Sequence, residues 1–343
     1  MEKLLIIDGS SMLSTNYYGN LPKSIMFAKT LEDKEKHYSE ILHNSSGEYT
    51  NALYGMLRTI LKIIDEQKPS HMAIVFDATR NTFRRKLYAE YKGNRSATPD
   101  PLKQQFIAAE KMFKDLGIKV FYSSDYEADD FAGSLAEKFY SQVPVVVMTK
   151  DVDYLQLVSD EKNIRAWMVQ TKQEKADELF STYGVDKTLA NLPTKVFEFT
   201  EEIVKSELNL PFAKAVIDMK ALGGDTSDNI PGVKGISDAT AASILCEYET
   251  VENLYDMIED AGPSIETFWV ESGIISRKGA LKKLLAPGSD DELSAKEKAL
   301  LSKKLATIKL DIPISEDLSD FEVNIDKNSL IDICNHYEFK SLM

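Results

Sequence analysis

Three short apolar runs in this chain each end on aspartate. Leu4–Ile7 runs into Asp8, His71–Phe76 into Asp77, and Val143–Met148 into Asp151 and Asp153. Such a run, bounded by turn residues, reads as a buried strand. Between them lie stretches with helical spacing: Leu53, Leu57, Ile60, Leu61 and Ile64, stopped by Lys68-Pro69; Pro101 to Leu116, closed by Gly117; and Glu127 to Phe139. Ile118–Tyr122 and Ile164–Met168 read as two further strands. Strands alternating with helices imply an α/β fold, a mostly parallel twisted sheet with helices on both faces. Ligands of such sheets bind beyond the carboxyl ends of the strands. Asp8, Asp77, Asp151 and Asp153 follow strand ends, and Glu127, Asp129 and Asp130 follow the third strand and open the next helix. Carboxylates from four strand ends therefore fall on one edge of one sheet.

Such a cluster repels itself. At ~5 Å and a near-surface dielectric, each like-charge pair costs roughly 3 kcal/mol, so a cation is expected among them. The plainer explanation, that acids favour a helix N-terminus, covers one or two of these residues but not the match at the other strand ends. Asp225 and Asp228 lie in a later loop. They are a weak pair on their own, since the closing acid of a calcium loop is missing. Oxygen donors without cysteine or histidine point to hard cations, Mg²⁺ with Mn²⁺ as the alternative, rather than zinc. Two such ions can activate a water and stabilise a leaving oxygen in phosphodiester cleavage.

The net charge of −14 argues at first against a nucleic-acid partner. Charge is segregated, however: Arg80, Arg84, Arg85, Lys86, Lys92 and Arg95 face Glu90 alone in their stretch. A solvated basic face is the ordinary reading of a charge run. Its position just after Asp77 favours phosphate contact instead. Tyr17, Tyr18, Phe83, Tyr88 and Tyr91 could stack on bases near this block, although each taken singly reads as readily as core. From about Ala190 the pattern turns to helices joined by Gly- and Pro-rich turns, with little strand signal. There Ile230-Pro-Gly232-Val233-Lys234-Gly235, followed by a helix, resembles the hairpin of a helix-hairpin-helix, whose backbone N–H groups approach phosphate. The expected division is a nuclease-like core over 1–190 with a basic region at about 80–105, then a helical module over 191–343 with the hairpin motif at about 212–247. No run is long enough to span a membrane. The two cysteines are far apart without metal-ligand spacing, so a reduced, cytoplasmic setting is expected. Nothing in the pattern argues against a monomer.

Several motifs occur together and in order: Ile-Ile-Asp8-Gly-Ser-Ser, Val-Phe-Asp77-Ala, Thr82-Phe-Arg84, Glu90-Tyr-Lys92-Gly-Asn-Arg95, Glu127-Ala-Asp129-Asp130, Thr149-Lys-Asp151-Val-Asp153 and Gly224-Asp225-Thr-Ser-Asp228-Asn-Ile-Pro-Gly-Val. In these the chain resembles, from end to end, the 5′-nuclease (flap endonuclease) superfamily, specifically the 5′→3′ exonuclease domain of bacterial DNA polymerase I and its free-standing relatives. The resemblance implies a PIN-like core, a helical arch above the site and a module that grips duplex DNA. It implies that Asp8, Asp77, Glu127, Asp129 and Asp130 hold or support a first metal, and that Asp151, Asp153, Asp225 and Asp228 serve a second. Lys92 and Arg84 match catalytic basic residues at the base of the arch. Arg80, Arg85, Lys86, Arg95, Gly232, Val233, Lys234 and Gly235 would contact DNA. The implied substrates are DNA 5′ ends, flaps and nicks, with RNA primers on DNA as an extension, and a K⁺ ion is implied at the hairpin. No polymerase is expected to follow.

The chain departs from the family pattern at three places. Residues 20–50 are longer, Ser237 and Ala239 replace a second glycine-rich turn, and Lys150 stands where glycine is usual. The leading expectation is a two-metal 5′→3′ exonuclease and flap endonuclease. The alternatives are a non-catalytic branched-DNA-binding protein of the same fold and an RNA-directed nuclease.

Overall fold

The computed structural model describes residues 2–343. Six strands form one sheet: β1 (Leu4–Asp8), β2 (His71–Val75), β3 (Lys119–Phe121), β4 (Val145–Thr149), β5 (Ile164–Val169) and β6 (Val196–Phe199). Their order is β3-β2-β1-β4-β5-β6. The first five are parallel, and β6 runs antiparallel to β5. Alternation along β1 shows why the sheet needs two covers. Leu5 and Ile7 pack on one face with the Asn51–Gln67 helix, whereas Leu4 and Ile6 pack on the other with the Ala128–Phe139 helix. Strand order reverses between β1 and β4, which makes the crevice beyond their carboxyl ends the expected ligand position. The helix after β1, Gly9–Gly19, begins directly on Asp8. A side chain at Gly9 would run into Phe76, at 2.6 Å from its ring, so this close start depends on glycine.

The later chain is helical over most of its length, including Val216–Gly223, Asp238–Tyr248, Val251–Ala261 and Ala295–Ala306. Ser264–Glu271 and Glu201–Leu208 are further helices that the sequence pattern does not single out. The boundary at 190 differs from what is found. β6 extends the sheet, and Ile308, Ile312 and Phe321 return to pack beside Leu4 and Ile6. Ile333, Cys334, Tyr337 and Phe339 close the opposite face. A four-residue strand such as β6 carries too short a pattern to be told from a loop. The excursion over residues 20–50 holds two five-residue helices, Lys23–Phe27 and Leu31–Glu35, whose Phe27 and Leu31 remain exposed. Among the described residues, no helix is long and apolar enough to cross a membrane.

Candidate active site

The acids predicted from strand ends do gather at the carboxyl edge, but in three different states. Asp8, Asp77, Glu127, Asp151 and Asp225 line a cleft of about 1140 Å³, together with Arg80, Lys92 and Arg95. Asp129, Asp130, Asp153 and Asp228 are set back from it.

The open state is that of Asp8. It caps the helix that follows, accepting from the Ser11 N–H at 2.9 Å, and takes a second bond from the Thr149 hydroxyl at 2.6 Å. Burial, reinforced by the charges of Asp77 and Asp151, raises its pKa to about 7 despite these two donors. Asp77 follows β2 and accepts from the Ala128 N–H at 2.9 Å, so it caps the helix that carries Asp129 and Asp130. Asp151 accepts the Asp153 N–H at 3.0 Å. Withdrawal from bulk water and the nearby Asp228 raise its pKa, against the pull of Lys220.

The second state is occupied by lysine. The Lys92 ammonium lies 2.5 Å from Glu127 and 3.6 Å from Asp228. Burial opposes its charge, but Tyr91, Glu127 and Asp228 hold its pKa well above the ordinary value. Burial likewise pulls Glu127 upward, and Lys92 and Arg84 outweigh it, so that carboxyl sits below its usual range. The Tyr91 hydroxyl lies 3.2 Å from both Glu127 and Asp228 and shares its one proton between them. On the other side, the Lys220 ammonium bridges Asp153 and Asp225, the latter at 2.6 Å. Lys220 belongs to the Val216–Gly223 helix, so it reaches into the site from the helical module.

The third state is sealed. Arg84, 1% exposed, forms a two-pronged pair with Asp130 at 2.7 Å for each bond, and Asp130 is fully buried. Two further guanidinium N–H groups go to the Leu305 and Thr307 carbonyls, both at 2.9 Å. Asp130 also accepts from the Glu127 N–H at 3.0 Å and the Lys309 N–H at 2.8 Å. With four donors on two oxygens, it has no lone pair free for an ion. Arg84 therefore anchors the basic segment to the chain's later part rather than facing a phosphate. Asp129 lies 3.8 Å from Arg84. Burial, with the charges of Asp130 and Glu127, raises its pKa.

The basic segment is laced to the hairpin loop. Lys92, held in the left-handed region with φ 54°, donates its N–H to the Asp228 carbonyl at 2.8 Å. Asn94 donates to Thr226 O at 2.6 Å, Asn229 to Glu90 O at 2.7 Å, and Arg95 pairs with Asp228. A residue at positive φ without being glycine costs of order 1–3 kcal/mol and persists only where its surroundings impose it. Here the clasp to Asp228 imposes it. Arg80 is spent on the Arg95 and Ser96 carbonyls. Lys86 pairs with Asp125 at 2.9 Å on the surface, and Arg85 is half-buried.

The hairpin also differs from expectation. The Gly232 N–H is taken by the Ser302 hydroxyl at 2.9 Å and the Val233 N–H by the Leu222 carbonyl at 2.8 Å. Neither is available to a phosphate. Lys234 and Gly235 are exposed. Gly232, at φ 56°, fits only as glycine, because a Cβ there would lie 2.3 Å from the Gly224 nitrogen. Of the aromatics considered for stacking, Tyr17 and Tyr91 are buried while Tyr18 is exposed and lines the cleft.

One pairing crosses the expected grouping of the acids: Asp228 sits with Glu127, through Lys92. Asp153 and Asp225, placed in one group, are joined through Lys220. Lys220, Tyr91, Thr149 and Thr82, which donates to Glu127 at 2.7 Å, all belong to the site without having been singled out in it. Lys220 lies five residues before Asp225 in an apolar helix, and that buried lysine was the available signal.

The sequence that builds this acidic edge and the helical module behind it matches one family along most of its length. The family described as 5′-3′ exonuclease, N-terminal resolvase-like domain, matches residues 3–187, and 5′-3′ exonuclease, C-terminal SAM fold, matches residues 212–329. This chain belongs to the 5′-3′ exonuclease family. It is 33% identical over 343 residues to the DNA polymerase I of Caldicellulosiruptor bescii, covering 99% of this chain and 33% of that protein. The chain thus spans about a third of the length of the DNA polymerase I relatives it matches. It is 28% identical to a 5′-3′ exonuclease of Bacillus subtilis, covering 99% of this chain and 95% of the relative. Among solved structures, the bacteriophage T5 5′-exonuclease with bound zinc shares the fold, with a TM-score of 0.55 and 20% identity over 89% of each chain.

Proposed function

We propose that this protein is a divalent-metal-dependent 5′→3′ exonuclease and flap endonuclease that hydrolyses DNA phosphodiesters at 5′ ends, flaps and nicks. The observation that carries this reading is the clasp of the basic segment and the hairpin loop around one carboxylate-lined cleft. It sets phosphate-seeking cations directly above ion-seeking acids. The donor set fits hard cations, since every candidate ligand is a carboxylate and the acids already recruit positive charge from Lys92 and Lys220. As the side chains stand, no three of the described carboxylates converge on a single point, in keeping with two lysines lying between them. Asp8, Asp77, Asp151 and Asp225 are the residues proposed to hold the ions, Mg²⁺ or Mn²⁺, with Asp153 and Glu127 recruited when their lysines turn away. Ions bound there supply a water of lowered pKa and offset charge on the phosphate.

The chain's own residues do the rest. Lys92 exchanges Glu127 for a phosphate oxygen, and its charged state at all ordinary pH suits that task. Arg95 and Arg80 line the cleft on the same side. Arg84, Asp130 and Tyr91 position this segment from behind and do not touch substrate. Lys234 and Gly235 remain the hairpin's surface for duplex. A K⁺ ion there has a competitor, because the Lys283 ammonium bonds the Gly235 carbonyl at 2.7 Å. The reading extends to RNA primers on DNA and to a monomer in the cytoplasm.

The test is a 5′-labelled flap incubated with Mg²⁺, with EDTA, and with the Asp151→Asn variant. Cleavage in the first alone is expected. Flap binding without cleavage in Mg²⁺ would overturn the enzyme reading in favour of a DNA-binding protein of the same fold, and faster cutting of single-stranded RNA would redirect the substrate.

A further inference from the structure

The basic segment is closed on itself as well as clasped to the hairpin loop. Arg80, just after Asp77, donates one N–H to the Arg95 carbonyl at 2.8 Å and another to the Ser96 carbonyl. These bonds join the limb that leaves β2 to the limb that enters the Asp100–Asp115 helix. Below them remain three residues on one limb, 78–80, and four on the other, 96–99. Fully extended, these limbs reach about 10 and 14 Å. Van der Waals contact of about 3.5–4 Å on each side of anything passing takes most of that height. All of these residues except Pro99 line the acidic cleft.

Above these bonds the segment is packed down rather than arched. Only Phe83–Leu87 is helical there, and Thr82, Arg84 and Tyr91 are buried. The Phe83 N–H bonds the Asp125 carbonyl at 3.1 Å, while Asn94 and Asn229 tie the far limb to the hairpin loop. The segment is a zipped strap, and a single strand that carries bases has no passage under it while Arg80 holds. Arg80 is also the easiest of these contacts to release. It is half-buried, its acceptors belong to exposed residues, and a phosphate oxygen is a stronger acceptor for a guanidinium than a carbonyl is.

We infer that Arg80 is a latch that sorts substrates by the length of their unpaired 5′ strand, a selection that rests on the nuclease reading above. A 5′ end at a nick, or a flap of one nucleotide, ends inside the cleft and has no strand left to pass under the strap. A long flap has to pass, and does so only when Arg80 exchanges its two carbonyls for a phosphate of that strand. The chain is in this way an exonuclease first, and a flap endonuclease in the fraction of molecules whose latch is drawn. Apparent affinity for long flaps is lowered by that fraction. Arg80 acts through its place in the strap and takes no part in breaking the bond.

The experiment measures kcat/KM of the full chain in Mg²⁺ on two DNAs labelled at the 5′ end, a junction with a one-nucleotide flap and the same junction with a long flap. Wild type is expected to favour the short flap. Arg80→Ala is expected to raise the long-to-short ratio about tenfold. Arg80→Lys keeps the charge but not the fork that spans two carbonyls, and should raise it by less. The ratio separates a latch from a plain phosphate contact, whose loss lowers both substrates alike. Asn94→Ala frees the same limb from the hairpin loop with Arg80 in place, and should move the ratio the same way, so the result does not hang on one variant. A wild type that cuts both DNAs equally, or variants that lower both alike, would overturn the latch and leave Arg80 as a phosphate contact. If wild type cuts neither DNA, the nuclease reading fails and the latch with it, whereas an unchanged ratio in an enzyme that cuts sinks the latch alone.

Discussion

Asp8 and Asp130 are the same residue type in the same kind of motif, yet they do opposite things. Asp8 keeps two donors, faces two like charges, and has a pKa of about 7. Asp130 has four donors, two from one guanidinium, and is sealed from solvent. The first is unstable as it stands and is completed by a cation from outside. The second was completed by a cation from inside the chain. Carboxylates in a conserved-looking string are thus not all ligands, and the hydrogen-bond census separates those that hold an ion from those that hold the fold.

The comparison breaks most visibly at Arg84. Arg84→Met leaves Asp130 charged and buried, and removing one partner of such a pair costs about 3–5 kcal/mol. The expected outcome is a large drop in the urea midpoint. Asp8→Asn should do the reverse: melting temperature held or raised, because repulsion with Asp77 and Asp151 is relieved, while Mg²⁺-dependent cleavage falls on the order of a hundredfold or more. If both variants lost stability alike, the distinction between open and sealed acids would collapse.

Lys220→Met probes the intermediate state. Without the ammonium, Asp153 and Asp225 face each other, and a loss of about 1–2 kcal/mol is expected in EDTA, softened by proton uptake. The gain in melting temperature on adding Mg²⁺ should then exceed that of wild type, since the ion no longer competes with lysine. A smaller gain than wild type would show that Lys220 assists metal binding instead.

The pH dependence sharpens the description of Asp8. Its pKa rises from 3.8 unfolded to about 7 folded, so the metal-free native state binds more protons than the unfolded one between those values. Its contribution to stability therefore falls as pH rises through that window. Mg²⁺ binding should release more protons at about pH 6 than at about pH 8, which calorimetry in buffers of different ionisation enthalpy would measure. Least of all should follow from Lys86→Ala, which removes an exposed pair with Asp125. A change within about 0.5 kcal/mol is expected there.

Much of this was readable beforehand. Apolar runs ending in Asp8, Asp77 and Asp151 were enough to place a parallel sheet and an acidic edge, because strand burial and chain direction are local properties of sequence. The short β6 was not readable, and neither was the return of residues 308–339 to the sheet, since both depend on surfaces made elsewhere in the chain. The basic block was legible as charge, but not as three fates: Arg84 buried, Lys92 and Arg95 clasped, and Lys86 in solvent. Gly232 and Val233 were legible as a turn, whereas only the packed structure shows Ser302 and Leu222 taking their N–H groups.

What the sequence determined by itself is which chemistry is present: nine carboxylates at strand ends and loops, cations after Asp77, and a family resemblance running the length of the chain. What only the tertiary structure decided is which carboxylates are free. That depends on Lys220, Leu305, Thr307 and Lys309, distant in sequence, and a hydrogen bond saturates an oxygen only when folding brings its donor within about 3 Å.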